Sequence, residues 1–398
     1  MRKTLWVNDS EPIIVIMAIL LVLGTINVFS SSFVLAVTEY EDPFYFLRKH
    51  VILVLVGLLF FVGCRHIAYE HWRVMMLPLL IFIIGSLVAV LVFSDPVNGA
   101  KRWLGVGAFK FQPAEFAKLI SLMLMAAFLA NCLQRRRLSA LNVVFSLQMG
   151  LILLMAFLVY KEPDMGTAVI IAGVPLLMAM VTVMTKHQIV GLACMSPFLL
   201  GGLAVLQPYR LQRLLTTWDP WQDAQGVGYQ TVQSLATIGS GGFTGMGFGA
   251  GVSKYQYLPE AHTDFAFAIF CQEHGYLGAL MAFVLYLALM VYCVRVANMA
   301  RDLFGQILAT GIMLLIVGQA VINMLMVGGM FPVVGVPLPF ISYGGSSLVV
   351  TMSAMGMLTN IADHCVHPAQ RPKPAPQAPA KPQRAQLRVV PGGQSTDN

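Results

Sequence analysis

Apolar runs of about 17 to 25 residues recur along nearly the whole chain, and each is long enough to cross a bilayer core of about 30 Å as a helix. Backbone in hydrocarbon must satisfy its own hydrogen bonds, which leaves closed barrels or helices, and runs of this length are helical. Composition agrees. Of 398 residues, 58% are hydrophobic and 11% charged, with a mean hydropathy of +0.75, whereas a soluble chain carries about 25% charge. The reading is an all-α polytopic membrane protein of about ten transmembrane helices, at 13–36, 50–67, 74–93, 115–133, 141–160, 166–184, 189–206, 265–296, 304–327 and 341–361. The eighth is expected to begin with a short re-entrant or amphipathic piece near Phe265–Phe270, and to cross from Tyr276 to about Arg295.

An even number of crossings puts both termini on one side. With these boundaries the terminal side carries 15 of the 25 Lys and Arg, including the cluster Arg135–Arg137. The positive-inside rule therefore places the termini in the cytoplasm. The net charge of +7 lies between the apolar runs and in the tail, so no nucleic acid partner is expected. The first apolar run is read as a retained span and not as a signal peptide. The six cysteines are scattered and form no disulfide or zinc pattern. Beyond residue 362 the sequence turns to Pro, Ala, Gln and basic residues, read as a disordered cytoplasmic tail over 363–398.

The longest connection, 207–264 between the seventh and eighth spans, faces outward in this topology, as does 94–114. Long connections in a compact chain are usually functional. The first holds Arg210 and Arg213, a glycine-rich tract from Gly239 to Gly251, and Lys254, Glu260, His262 and Asp264. Asp264 is the last polar residue before an apolar stretch, at a depth where its pKa can rise while protons still exchange with water. It reads either as a general base or as a helix N-cap. The glycine tract reads equally as an anion-binding nest or as tight turns packed on the outer face. The second connection gathers Lys101, Arg102, Trp103, Lys110 and, at a helix start, Glu115 and Lys118. These cations suit an anionic lipid headgroup such as a diphosphate, and Glu115 and Lys118 equally suit an i,i+3 pair. Lys161-Glu-Pro-Asp164 crowds charge at the start of the sixth span, with a helix cap as its simplest role. The stretch from Gly328 to Ser347 has three prolines and five glycines and includes Ser342 and Ser346. Such broken backbone persists at membrane depth only against protein or a wet cavity.

The motifs NGAKRW (98–103), FQPAEFAK (111–118), EPDMGT (162–167), PYRLQR (208–213), GVGYQTVQSLATIGSGG (226–242), YLPEAHTDF (257–265) and PLPFISYGGSS (337–347), in this order, resemble the SEDS (FtsW/RodA) family of bacterial membrane glycosyltransferases, named for shape, elongation, division and sporulation. The resemblance covers about residues 10–362. Ala261 and the PLPFISYGGSS string look like its cell-division branch more than its elongation branch. Ala114 and Gln256 stand where relatives often carry Ser and Glu.

What the resemblance implies is polymerisation of lipid II, the undecaprenyl-diphosphate-linked disaccharide pentapeptide, on the outer face of the cytoplasmic membrane at the division septum. It also implies a class B penicillin-binding protein and other divisome proteins as partners. The family's essential aspartate falls on Asp264 and its functional tryptophan on Trp103. The expected substrate-binding set is Lys101, Arg102, Trp103, Lys118, Arg210, Arg213, Lys254, Glu260, His262, Ser342 and Ser346. A divalent cation such as Mg or Mn suits a diphosphate substrate, although no metal-ligand motif stands in the sequence. The partner's helix is expected near the eighth and ninth spans, where Gly305, Gly311, Gly318 and Ala320 permit close approach or else pack within the bundle. The rival classes are a lipid II flippase, which needs no base, and a non-catalytic divisome scaffold.

Overall fold

The computed structural model describes residues 9–95, 101–106, 109–135, 140–183, 212–213, 216–255 and 257–365. The expected span at 189–206, Arg210, Arg136, Arg137, Gln256 and the tail lie outside the described residues. The chain runs through α1 (Ser10–Tyr40), α2 (Tyr45–His66), α3 (Tyr69–Val74), α4 (Met76–Phe93), a hairpin of β1 (Leu104–Val106) and β2 (Phe109–Phe111), α5 (Pro113–Gln134), α6 (Ala140–Val144), α7 (Leu147–Lys161), α8 (Met165–Val183), α9 (Tyr229–Ser240), α10 (Ala266–Met299), α11 (Leu303–Val327) and α12 (Gly345–Asp363). Among the described residues, eight of these helices are long and apolar enough to cross a membrane, and α7 is a shorter apolar helix. The expected span at 141–160 is divided at Ser146, whose hydroxyl accepts from Met149 N at 3.1 Å and starts α7 afresh. The all-α expectation holds, and the described residues add to it one short antiparallel hairpin, which pairs Leu104 with Phe111 and Val106 with Phe109.

The buried axis of the bundle is α12, with almost every residue from Ser346 to Ala362 out of contact with the surroundings. It meets α2 so closely that a Cβ at Gly356 would lie 2.4 Å from the Phe61 carbonyl. At one face the two ends of the membrane domain are tied together. Asp363 accepts from Ser10 and pairs with Arg65 at 3.1 Å, and Asn360 receives Tyr69 N at 3.0 Å while donating to the Arg65 carbonyl. The start of α1 and the end of α12 therefore share a side. Three of the four small residues on α11 pack inside the bundle. A Cβ at Gly311 would meet Met178 of α8, one at Gly305 would meet Tyr69, and Ala320 is fully buried. Only Gly318 has open space before it.

Gly275 breaks α10, with φ 65° and ψ −164°. The break separates a buried half-helix, Ala266–His274, from the longer run that begins at Tyr276, much as the expected re-entrant start required. A helix break orphans carbonyls on one side and amides on the other, and here the glycine-rich tract satisfies them. Met246 N and Gly247 N donate to the Gln272 and Glu273 carbonyls at 3.0 and 3.1 Å, and Tyr276 N and Leu277 N donate to the Gly242 and Phe243 carbonyls at 3.0 and 3.2 Å. The tract thus serves as packed turns, not as a nest. Its glycines are required by close approach, since a Cβ at Gly245 would stand 2.1 Å from the Glu273 carbonyl. Behind it Lys254 Nζ is held by Glu273 at 3.2 Å, Ser30 Oγ at 3.1 Å and the Gly249 carbonyl at 2.7 Å.

Gly275→Ala would force a side chain into left-handed backbone with its Cβ 2.3 Å from Gly245 N. We expect a loss of about 1–3 kcal/mol or more, seen as a lower thermal unfolding midpoint of the detergent-solubilised protein. An unchanged midpoint would contradict the clasp.

Candidate active site

Asp264 closes a turn that begins at Glu260, whose carbonyl accepts from Thr263 N and Phe265 N at 3.2 Å each and whose carboxylate accepts from Thr263 Oγ1 at 2.7 Å. Glu260 adopts φ 52° to make that turn. The N-cap of α10 is Phe265, with no side-chain cap bond, so Asp264 is not serving as a cap. Asn323, buried on α11, fixes its position. Its amide donates to the Asp264 carbonyl at 2.8 Å and to the Val336 carbonyl at 2.7 Å, joining the start of α10 to the broken segment before α12. Gly335 in that segment has φ 67°, and its bare Cα faces the carboxylate: a Cβ there would be 3.4 Å from Asp264 Oδ2.

The surroundings of Asp264 are mixed in charge. Burial, then the carboxylates of Glu260 and Asp164, push its carboxyl up to about 7, while Arg102 and Arg213 oppose the rise. Arg213 is braced by a bond to the Val333 carbonyl at 3.1 Å. Arg102 donates to the Glu162 and Pro163 carbonyls, reaching from the hairpin side to the start of α8. Asp164 caps α8 through Thr167 N at 3.1 Å and accepts from Gln112 Nε2 at 3.4 Å. Glu162 is fully buried with no hydrogen-bond partner for either oxygen among the described residues, and burial followed by Asp164 raises it to about 8 against the pull of Arg102. A carboxylic acid in that setting is largely protonated at neutral pH.

The expected set therefore divides. Glu260, Arg102 and Arg213 all act electrostatically on Asp264. Lys101 and Trp103 stand half-buried beside Arg102, with the Trp103 carbonyl accepting from Ser94 at 2.8 Å. His262 packs its ring on Phe46 and Tyr343, and burial lowers its pKa. Ser346 Oγ accepts from Gln112 N and Ser342 Oγ from Leu338 N, both at 3.0 Å, so each hydroxyl shapes backbone near the site. Lys118 is buried against Glu115 at 2.7 Å and Gln319 at 3.2 Å, the intrahelical pair that its spacing allows. Lys254 is committed to Glu273 and the loop clasp. Sequence reasoning left Asp164, Gln112 and Gly335 out of the set. Asp164 was visible as a charge at a helix start, while Gln112 and Gly335 carry no signal of their own. Among the described residues, no three His, Cys, Asp or Glu side chains are grouped to hold a metal ion.

A helical membrane bundle with a buried carboxyl under the electrostatic influence of two arginines is the class that fold and site define. The family model described as a cell cycle protein, covering FtsW, RodA and SpoVE, matches residues 11–367. The chain belongs to the FtsW/RodA/SpoVE family. It is 36% identical over 365 residues to the probable peptidoglycan glycosyltransferase FtsW of Trichlorobacter lovleyi, covering 91% of this chain and 95% of that one. It is 35% identical over 354 residues to the stage V sporulation protein E of Bacillus subtilis, covering 88% and 96%. A chain solved in work on the structural coordination of polymerization and crosslinking by a peptidoglycan synthase complex superposes with a TM-score of 0.74 at 26% identity, covering 90% of this chain and 98% of that one. The rod shape determining protein RodA of Thermus thermophilus shares the fold, with a TM-score of 0.65 at 23% identity over 91% and 99%.

Raising a carboxyl's pKa on folding makes the native state bind the proton more tightly than the unfolded chain. Stability from Asp264 is therefore full below its unfolded value of 3.8 and is lost as pH rises toward about 7. Asp264→Asn removes that loss. We expect the variant to unfold at a higher temperature than the parent at pH 8, with the gap closing at pH 4. A variant less stable than the parent at pH 8 would contradict the burial assigned to this group.

Proposed function

We propose that this chain polymerises lipid II into peptidoglycan strands with release of undecaprenyl diphosphate, as an FtsW-like glycosyltransferase of septal cell-wall synthesis. One observation carries the chemistry: the Asp264 carboxyl, pushed up to about 7, faces the side-chain-free Gly335 with Arg102 and Arg213 acting on it. A base poised near the working pH takes a proton efficiently. In this reading Asp264 removes the proton from the C4 hydroxyl of the acceptor sugar as that oxygen attacks the anomeric carbon of the donor. The diphosphate leaves from the opposite face. It is already a good leaving group and asks for positive charge more than for an acid, which Arg102 and Arg213 supply, joined by Lys101 and Arg210. The backbone carbonyls of Glu162 and Pro163 keep Arg102 in place.

The test is polymerisation of purified lipid II read by glycan strand length. Asp264→Asn should lose about 10²- to 10⁴-fold in rate while the protein stays folded and binds lipid II. A flippase needs no base, and near-normal turnover in the variant would return the reading to lipid transport.

The partner we propose is a class B penicillin-binding protein, in keeping with the peptidoglycan synthase complex among the structural neighbours. Because most of α11 is buried, the more open surface for its helix is the flank of α10, where Leu280, Phe283 and Leu287 are exposed. We further propose the cytoplasmic membrane, with both termini inside. In intact spheroplasts a membrane-impermeant thiol reagent should label a cysteine introduced at 225 and spare one at 136. The reverse pattern would overturn both the orientation and the proposed mechanism.

A further inference from the structure

The loop that fills the break in α10 does more than satisfy backbone. From Gly239 to Ser253 it carries no charged residue, and the first charge after it, Lys254, is turned inward to Glu273. Its large side chains point the other way: Phe243, Met246 and Phe248 are 64%, 44% and 56% exposed. A stretch this apolar and this open is unusual in water-facing loops.

Its depth follows from the helix it grips. The run from Tyr276 to Met299, at about 1.5 Å per residue, is about 36 Å long and alone suffices to cross the hydrocarbon core. Gly275 therefore lies at one membrane surface. The loop is bonded to the residues flanking Gly275 on both sides, so it lies at the same level. Phe243 stacks on Tyr276 with ring centroids 5.8 Å apart. Beside it Leu277, Met281 and Val284 form an exposed lipid-side stripe, next to the flank proposed for the partner's helix. Aromatic rings prefer this interfacial level.

We propose that the glycine-rich loop is an interfacial membrane anchor, with Phe243, Met246 and Phe248 inserted among the phospholipids of the leaflet in which Tyr276 sits. The apolar stripe of α10 and the loop form one continuous lipid-contacting surface. The anchor holds the clasp at a fixed depth, and with it the half-helix that begins two residues after Asp264.

The full chain, carrying the photo-crosslinker p-benzoylphenylalanine at position 243, 246 or 248, can be reconstituted in vesicles of phosphatidylethanolamine and phosphatidylglycerol. The control position is 225, where Gln225 is exposed on the same long connection beside the acidic Asp223. Irradiation should add the mass of one phospholipid at the three loop positions and none at 225. Three positions keep the test informative if one variant fails to fold. Loop positions that form no lipid adduct would overturn the proposal. A crosslinked dimer would assign the surface to a second copy, and capture of another protein in place of lipid, when the same variants are irradiated in native membranes, would assign it to a partner; either result also overturns it.

Discussion

The break in α10 at Gly275 is the constraint on which the outer half of the molecule depends. A helix that breaks where the protein shuts out water must find other partners for its free amides and carbonyls, and Gly275 is buried. The tract from Gly242 to Gly247 supplies them by lying directly against the broken turn, and only glycine permits that approach at Gly245 and Gly275. The buried Lys254–Glu273 pair then locks the loop in place. A buried ion pair contributes little net stability against its desolvation, but losing one partner strands the other charge. It therefore fixes a unique arrangement more than it adds strength.

The arrangement matters for chemistry because Asp264 stands at the other end of the same half-helix. It is held from two directions, by the clasp at Gln272 and Glu273 and by Asn323, which binds the Asp264 and Val336 carbonyls with a single amide. Neither contact uses the carboxylate, which is left to face Gly335 and the arginines. Positioning through backbone while sparing the reactive group is what a general base requires. The Asp164 carboxylate helps raise Asp264, and the backbone carbonyls of Glu162 and Pro163 brace Arg102, so the electrostatic setting is shared across the starts of α8 and α10.

Much of the architecture was readable from apolar run length. The ninth expected span, 304–327, differs from α11 by one residue at its start, since Asp302 is an evident cap ahead of a long apolar run. The last span was placed too early. Residues 341–344 are apolar or small enough to extend a helix, but the Ser342 hydroxyl bonds Leu338 N and turns the chain before α12 begins. The hairpin at 104–111 has strands of three residues, too short for a periodic signal. Asp264 and the arginines were legible because charge at membrane depth is costly. The partners of Lys254 were not, because Ser30 and Glu273 lie in apolar helices far from it in sequence. Spacing along one helix did reveal the pairing of Lys118 with Glu115.

The proposed chemistry needs Asp264 to act as a base tuned to neutral pH by its surroundings. The most direct measurement is the initial rate of lipid II polymerisation by the purified protein with its transpeptidase partner across pH 5 to 9 at saturating substrate. The rate should rise with a midpoint near 7, where the Asp264 carboxyl ionises. A rate that is flat down to pH 5, as an ordinary exposed aspartate would give, would contradict it.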